Sequence, residues 1–431
     1  MLSRLAQIVF VIFVFNACSS DHNSKNELTY WSSNNLQEIT FTKHFTEKWN
    51  ATHENRVKFQ PIPEGQSSEE VLMAAVVGKT TPDIYANMWQ GLVEMYAKSG
   101  VLVQLDTING FKEFLRERSG EAVLKEITSA DGHIYQIPWK INPIMAIYNK
   151  KIMNNLGLEA SPKSYSDFLN AGKNFSKDTD QDGYVDRWIG TTEIKNIWYQ
   201  RLFNFYALYL AASNGGHLVE NNKAVFNNKY GIEVFTFLQK LYKNDYFAKE
   251  NNTTGSDKFL AGQYASKWTG PWDISHTNKF KPEGFEFAFS PIPVPDSHQG
   301  PVYTYADPKN IVIFNTCKNP LAAWQFVKTL ISEEGDLQLL SLTEQLPRRQ
   351  NMSTSTLFQD YFKTHPQITP FINQSKYVYG TDNCDVMIEV LSIISAEYEA
   401  CVVYNKKTPK DALDAAEKAV NILLGNFKPK N

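Results

Sequence analysis

The sharpest chemical pattern in this chain is Asp178-Thr179-Asp180-Gln181-Asp182-Gly183-Tyr184-Val185-Asp186. Side-chain oxygens at positions 1, 3, 5 and 9, a backbone carbonyl at position 7 and a glycine at position 6 follow the spacing of an EF-hand calcium loop. Four carboxylates this close repel one another unless a cation sits among them. The twelfth position, where a bidentate glutamate belongs, is Ile189, so Glu193 or a remote acid would have to replace it. The pattern predicts a structural Ca2+ held by Asp178, Asp180, Asp182, Tyr184 and Asp186. Its alternative is an acidic turn closed by bonds to its own backbone amides. No other cofactor is expected. The 8 His are scattered without metal spacing, and no zinc signature, nucleophile elbow, Cys–His arrangement or Gly-rich phosphate loop occurs. An enzyme built here would have to be a glycosidase-like one using paired carboxylates; the reading preferred is no enzyme.

These residues sit on a chain that begins with Arg4 and an apolar run over 8–15. The run is too short to span a bilayer and suits a secretory signal. Phe15-Asn16-Ala17-Cys18 resembles a bacterial lipobox, with Phe15 and Asn16 in place of its usual residues. It implies cleavage after residue 17 and acylation of Cys18; ordinary signal cleavage is the alternative. Residues 18–27 then form a polar tether. The formal charge of −3 becomes −4 once Arg4 is lost with the signal (42 basic against 46 acidic residues). That leaves no basic field for nucleic acid. Cys317, Cys384 and Cys401 are an odd number, so one disulfide at most can form and the fold must rest on its core.

The elements that follow alternate. Short strands are predicted at 28–31, 56–61 and 82–86, with helices at 39–49, 69–77 and 91–98 between and after them. Ser164 and Asn319 read as N-caps, the latter followed by Pro320. A terminal helix over 409–424 places Ala412, Leu413, Ala416, Val420 and Leu423 at core spacing. Strand–helix alternation predicts an α/β architecture of mainly parallel sheets flanked by helices.

The order of several short blocks resembles family 1 extracellular solute-binding proteins of bacterial ABC importers, the group that includes maltose-binding protein. These blocks are Leu28-Thr29-Tyr30-Trp31, Pro82-Asp83-Ile84, Asp131 to Pro138, Tyr148-Asn149-Lys150 with Ser164 to Phe168, Gly270-Pro271-Trp272 and Leu346-Pro347-Arg348. The resemblance implies a type II, periplasmic-binding-protein-like clamshell of two lobes. Lobe 1 would take 28–138 plus 304–345, and lobe 2 would take 139–303 plus 346–431. Crossovers are placed near 137–143, 303–307 and 342–347. It also implies a monomer that closes on a sugar, hands it to membrane permease subunits, and resides in the periplasm or at the cell surface through Cys18.

A sugar has apolar ring faces and hydroxyls all round, so its site needs flat aromatic side chains beside short polar and charged ones. By the resemblance, Trp31, Ser32, Trp89, Trp139, Trp272, Tyr305, Asp307 and Arg348 are the ligand-binding candidates, with Ser33 and Lys140 beside them. For Trp31 and Trp89, core packing is the competing role. Lys140 and Arg348 facing inward would instead favour an anionic solute such as a polyol phosphate. Tyr303 and Tyr305 could form an iron-type tyrosine pair, and a sensory lipoprotein on the same fold is a further alternative.

Overall fold

The computed structural model describes residues 27–62, 66–249 and 257–426; Cys18 and the signal lie outside them. β1 (Glu27–Ser33) buries Leu28, Tyr30 and Ser32 on alternate positions. Each large apolar side chain so buried contributes roughly 1.5–3 kcal/mol. Asn35 then caps the helix Leu36–Asn50, its side chain accepting from the amides of Gln37 and Glu38. The helix buries Phe41, Phe45 and Trp49 against the sheet and returns the chain to β2 (Arg56–Ile62), parallel to β1. The helix Gln66–Gly78 makes the second crossover, to β3 (Ile84–Trp89), parallel on the other side of β1.

β4 (Ile137–Ile141) completes this run of like-directed strands, and the chain leaves for a second sheet. There β5 (Met145–Asn149) lies between β8 (Ser266–Thr269) and β9 (Phe287–Ser290). A small hairpin, β6 (Val219–Glu220) with β7 (Lys223–Ala224), intervenes in sequence. The chain returns through β10 (Thr304–Tyr305) to β11 (Lys309–Ile313), and later through β12 (Leu346–Pro347). The first sheet has the order β12-β4-β11-β3-β1-β2. β10 pairs in parallel with β13 (Val378–Tyr379) at the junction.

The α/β class stands, but the sheets are not mainly parallel throughout. β5 is antiparallel to both β8 and β9, and β11 is antiparallel to both β3 and β4. The short β12 is antiparallel to β4 as well; the two longer exceptions, β5 and β11, share a cause. β5 and β11 are the first strands laid down after a crossing, so each enters its sheet from the end facing the other lobe. The strands flanking it point towards that end. β8 and β9 are joined by the helix Trp272–Phe280 as a parallel pair that straddles β5.

The expected lobe boundaries also shift. β4 stays hydrogen-bonded in the first sheet as far as Ile141, and Leu346 and Pro347 pair with Ile141 and Lys140. Residues 139–141 and 346–347 therefore belong to lobe 1. Two of the crossings lie at 142–144 and 304–306, which run side by side, and the chain passes to the second lobe once more after Pro347. The amides of Asn142 and Ile144 donate to the carbonyls of Ala306 (2.6 Å) and Tyr305 (3.0 Å), and Thr304 Oγ1 donates to the carbonyl of Ile144.

Three apolar clusters hold this frame. One backs the first sheet around Tyr30, Phe41, Trp139 and Trp324. One packs the helices Tyr165–Phe175, Lys229–Lys243, Met387–Tyr398 and Pro409–Asn426, and continues to Trp89 and Tyr96 of the first lobe. The third joins Ile147, Phe289, Phe358 and Phe371. The terminal helix buries Ala412, Leu413, Ala416 and Val420 as its spacing requires, with Leu424 rather than Leu423 fully inside. The three cysteines are buried and unpaired.

Candidate functional site

Strands that point at the crossing bring their C-terminal ends to one place, and there the lobes enclose a cavity of about 390 Å3. Its wall takes Ser33 from the end of β1 and the helix cap Asn35 beyond it, Asn87 and Trp89 from β3, Lys140 from β4 and Asn142 from the crossing after it, and Asp307 and Lys309 from the entry of β11. The second lobe adds Phe203 and Trp272.

Both wall tryptophans lie over glycines. A Cβ on Gly91 would stand 2.3 Å from the Trp89 ring, and one on Gly270 would stand 2.1 Å from the Trp272 ring. This explains the Gly-Pro-Trp spelling: Gly270 makes room for the ring, and Trp272 opens the helix Trp272–Phe280. Trp272 meets the Phe203 ring edge-on, with centroids 6.3 Å apart. Phe203 itself sits in a π-helical turn, Leu202–Tyr206, a distortion frequent at functional sites. Trp89 packs against Trp198 at 4.6 Å, and its Nε1 donates to Tyr305 Oη at 3.0 Å.

The polar wall centres on a buried ion pair. Lys140 Nζ meets Glu38 Oε1, with both side chains at most 2% exposed. Glu38 also accepts from Asn87 Nδ2 (2.9 Å) and Gln345 Nε2 (3.0 Å). Burial by itself would push the Glu38 carboxyl up, but the Lys140 ammonium and the bonds from Asn87 and Gln345 bring it below its ordinary value. Asn87 holds a left-handed backbone (φ 71°), which asparagine tolerates. Asp307, also at positive φ, pairs with Lys309 at 3.1 Å. Glu69, on the helix Gln66–Gly78, lines the same cavity, and burial pushes its carboxyl up to about 7.

Of the residues singled out in the sequence, Trp89, Trp272 and Asp307 line the cavity, as do Ser33 and Lys140. The others sit elsewhere. Ser32 is fully buried one layer behind, its Oγ 3.4 Å from Asn87 Nδ2. Trp31 is half-buried against the helix-layer core. Tyr305 is fully buried behind Trp89. Trp139 is fully buried, packed near Phe41 with the Lys140 ammonium 4.5 Å above its ring, so it lies behind the polar wall and not on it. Arg348 turns away to Glu126 (2.6 Å), and its carbonyl is held by Arg118 and Ser119. Tyr303 packs on Tyr377 and Tyr379 and not beside the Tyr305 hydroxyl, so no tyrosine pair forms.

Glu69, Asn87, Asn142, Phe203 and Lys309 were not anticipated. Asn87 was within reach, since Tyr85, Asn87 and Trp89 occupy one face of β3 at period two, and all three line the cavity. Phe203 and Glu69 carry no such signal.

In the acidic loop, oxygens of Asp178, Asp180 and Asp186 converge within 4.8 Å of one another, the one such group of metal-ligating side chains among the described residues. Asp182 instead accepts from the Tyr184 amide (2.8 Å), and Tyr184 is largely exposed. Asp178 accepts from the amides of Gln181 and Gly183, and Asp186 from the hydroxyl and amide of Thr179. These Thr179 bonds hold the Asp186 carboxyl below its ordinary value. Ile189, at the twelfth position, is fully buried in the core. The loop thus offers three carboxylates, not the full ring.

The ion pair has a measurable signature. The folded value of Glu38 lies below its ordinary 4.5. The pair's stabilisation is therefore present above that ordinary value and is lost as pH falls through the folded value. Urea midpoints of the native chain should drop between about pH 5 and 3 more steeply than those of a Glu38→Gln, Lys140→Met double variant. Equal slopes would contradict this assignment.

Comparison with known proteins agrees with this geometry. The arabinooligosaccharide-binding protein of Bacillus subtilis (strain 168) is 23% identical over 245 residues, 55% of this chain and 53% of its own length. This chain therefore spans about half of that relative. The maltodextrin-binding protein MdxE of the same organism is 22% identical over 357 residues, 79% of this chain and 78% of its own. The structure of the sugar-binding protein MalE from Xanthomonas citri superposes with a TM-score of 0.76 at 16% identity, covering 94% of this chain and 100% of that one. The fold is therefore the maltose-binding-protein-like, type II clamshell. Residues 34–336 match the profile of one family directly, and the chain belongs to it: it is a bacterial extracellular solute-binding protein.

Proposed function

We propose that this chain is the solute-capturing component of an ABC importer and that its ligand is a sugar or short oligosaccharide. The observation that carries the reading is the cavity itself. Two tryptophan rings seated on glycines face a wall of amides, carboxylates and a buried lysine, between lobes whose crossing segments 142–144 and 304–306 run side by side. Flat apolar faces beside convergent hydrogen-bonding groups are what a sugar ring requires. The names of the arabinooligosaccharide- and maltodextrin-binding relatives point the same way. An anionic solute is disfavoured, because Lys140 is engaged by Glu38 and Arg348 by Glu126 outside the cavity. In this reading the chain binds reversibly, without catalysis, and passes its ligand to membrane permease subunits.

Two further assignments accompany it. The family is extracellular, and no helix among the described residues is long and apolar enough to cross a membrane. We assign attachment to the lipid on Cys18. The acidic loop is assigned a structural Ca2+ held by Asp178, Asp180 and Asp186, whose mutual repulsion a cation would relieve.

Each assignment has a direct measurement. Titration of the exported chain with neutral mono- and oligosaccharides should give saturable binding, weakened at least about tenfold in Trp272→Ala. Unaltered affinity in that variant would remove Trp272 from the site. Calcium should raise the melting temperature of the native chain and not that of Asp180→Asn; identical responses would dismiss the ion. Cys18→Ser should move the protein from the membrane fraction to the soluble one, and an unchanged distribution would rule out the acyl anchor.

A further inference from the structure

The charges around the cavity do not balance. Glu38 is matched by Lys140, and Asp307 by Lys309. That leaves Glu69, which among the described residues makes no hydrogen bond or ion pair and yet lines the cavity. Glu69 is half-buried, and an acid partly withdrawn from water without a partner is costly unless it is neutralised or a ligand supplies the missing charge.

We propose that Glu69 is the specificity-determining residue of this cavity and that it selects a sugar bearing a protonated amine over its neutral and acidic counterparts. The proposal rests on the sugar reading above and deepens it. Both cations of the wall are already engaged, so a carboxylated or phosphorylated sugar would meet no free positive charge and would face Glu69. An ammonium placed beside Glu69 would instead complete the balance, forming a charge-assisted bond.

The surroundings of Glu69 support this role. Burial is the main influence on its carboxyl; Lys309 on β11 draws it down, and Glu70 on its own helix pushes it up. Tyr96, on the helix Gln90–Lys98, and Tyr305, on β10, feel its charge in turn. With its carboxyl pushed up to about 7, Glu69 is charged just above neutrality and takes up a proton just below it. Selection for an amine should therefore be strongest near neutrality, where carboxylate and ammonium coexist, and fade as the solution is acidified.

The test is calorimetric titration of the full exported chain with matched sets: glucose, glucosamine and glucuronic acid, each as monomer and β-linked dimer, together with arabinose and maltose series. At about pH 7.5 the amino member should bind at least about tenfold more tightly than its neutral match, and the acidic member most weakly. At about pH 5.5 the amine's advantage should shrink. Glu69→Gln should abolish the advantage, whereas Trp272→Ala should weaken amino and neutral sugars together and keep their ratio. Equal affinity for amine and neutral sugar, or an advantage that survives Glu69→Gln, overturns the proposal while leaving the sugar reading intact. Silence across every series removes the sugar reading and this one with it.

Discussion

Two sheets share one chain through a narrow crossing, and that constraint determines where everything else can be. Strands β1 to β4 must end at the crossing because the chain has to leave from there. β5 and β11 must begin at it because the chain arrives there, which is why each runs against its neighbours. Most wall residues of the cavity taken from the first sheet lie at or beside such an end, Tyr85 near the start of β3 being the exception. The site is thus a by-product of wiring: strand ends converge, their side chains line the gap, and the surrounding helices bury the rest.

Within that gap the electrostatics are layered. The innermost pair, Lys140 with Glu38, is cut off from water and secured by Asn87 and Gln345, so four elements are tied at one point. A lysine in this position without its acid would be an uncompensated buried charge, and the reverse holds for the acid. A comparable arrangement stiffens the far side of the first lobe. There the buried Asp336 takes Arg118 and Arg349, and Arg118 also reaches the carbonyls of Pro138 and Trp139 on β4. β4 is therefore gripped from both flanks, by one acid beside the cavity and another behind it.

Much of the fold was legible. The strand–helix alternation, the caps at Ser164 and Asn319 and the buried face of the terminal helix are local signals, and the observed elements follow them. Strand direction was not, because parallel or antiparallel pairing depends on where the chain comes from, which no local window contains. The site was half legible for the same reason. Trp89 and Trp272 stand beside glycines that betray their packing, and Asp307 sits at a crossing. Trp139 misled because its ring is sealed in the core between Phe41 and the Lys140 ammonium, packing that no sequence spacing reveals. Arg348 misled because Glu126, its partner, is distant in sequence and invisible to spacing. The acidic loop resembled its motif up to the twelfth position, where the core claims Ile189.

The interleaved wiring also governs how such a chain can fold. β3 and β4 are not neighbours until β11 slides between them, and β11 arrives only after the whole second sheet has been traversed. A growing chain that has emitted its first half therefore holds an incomplete first sheet, missing its central strand. Pairings this distant in sequence close slowly. For a protein whose family works outside the cytoplasm, delayed closure is useful: the emerging chain stays threadable until its final third is available to lock the first lobe.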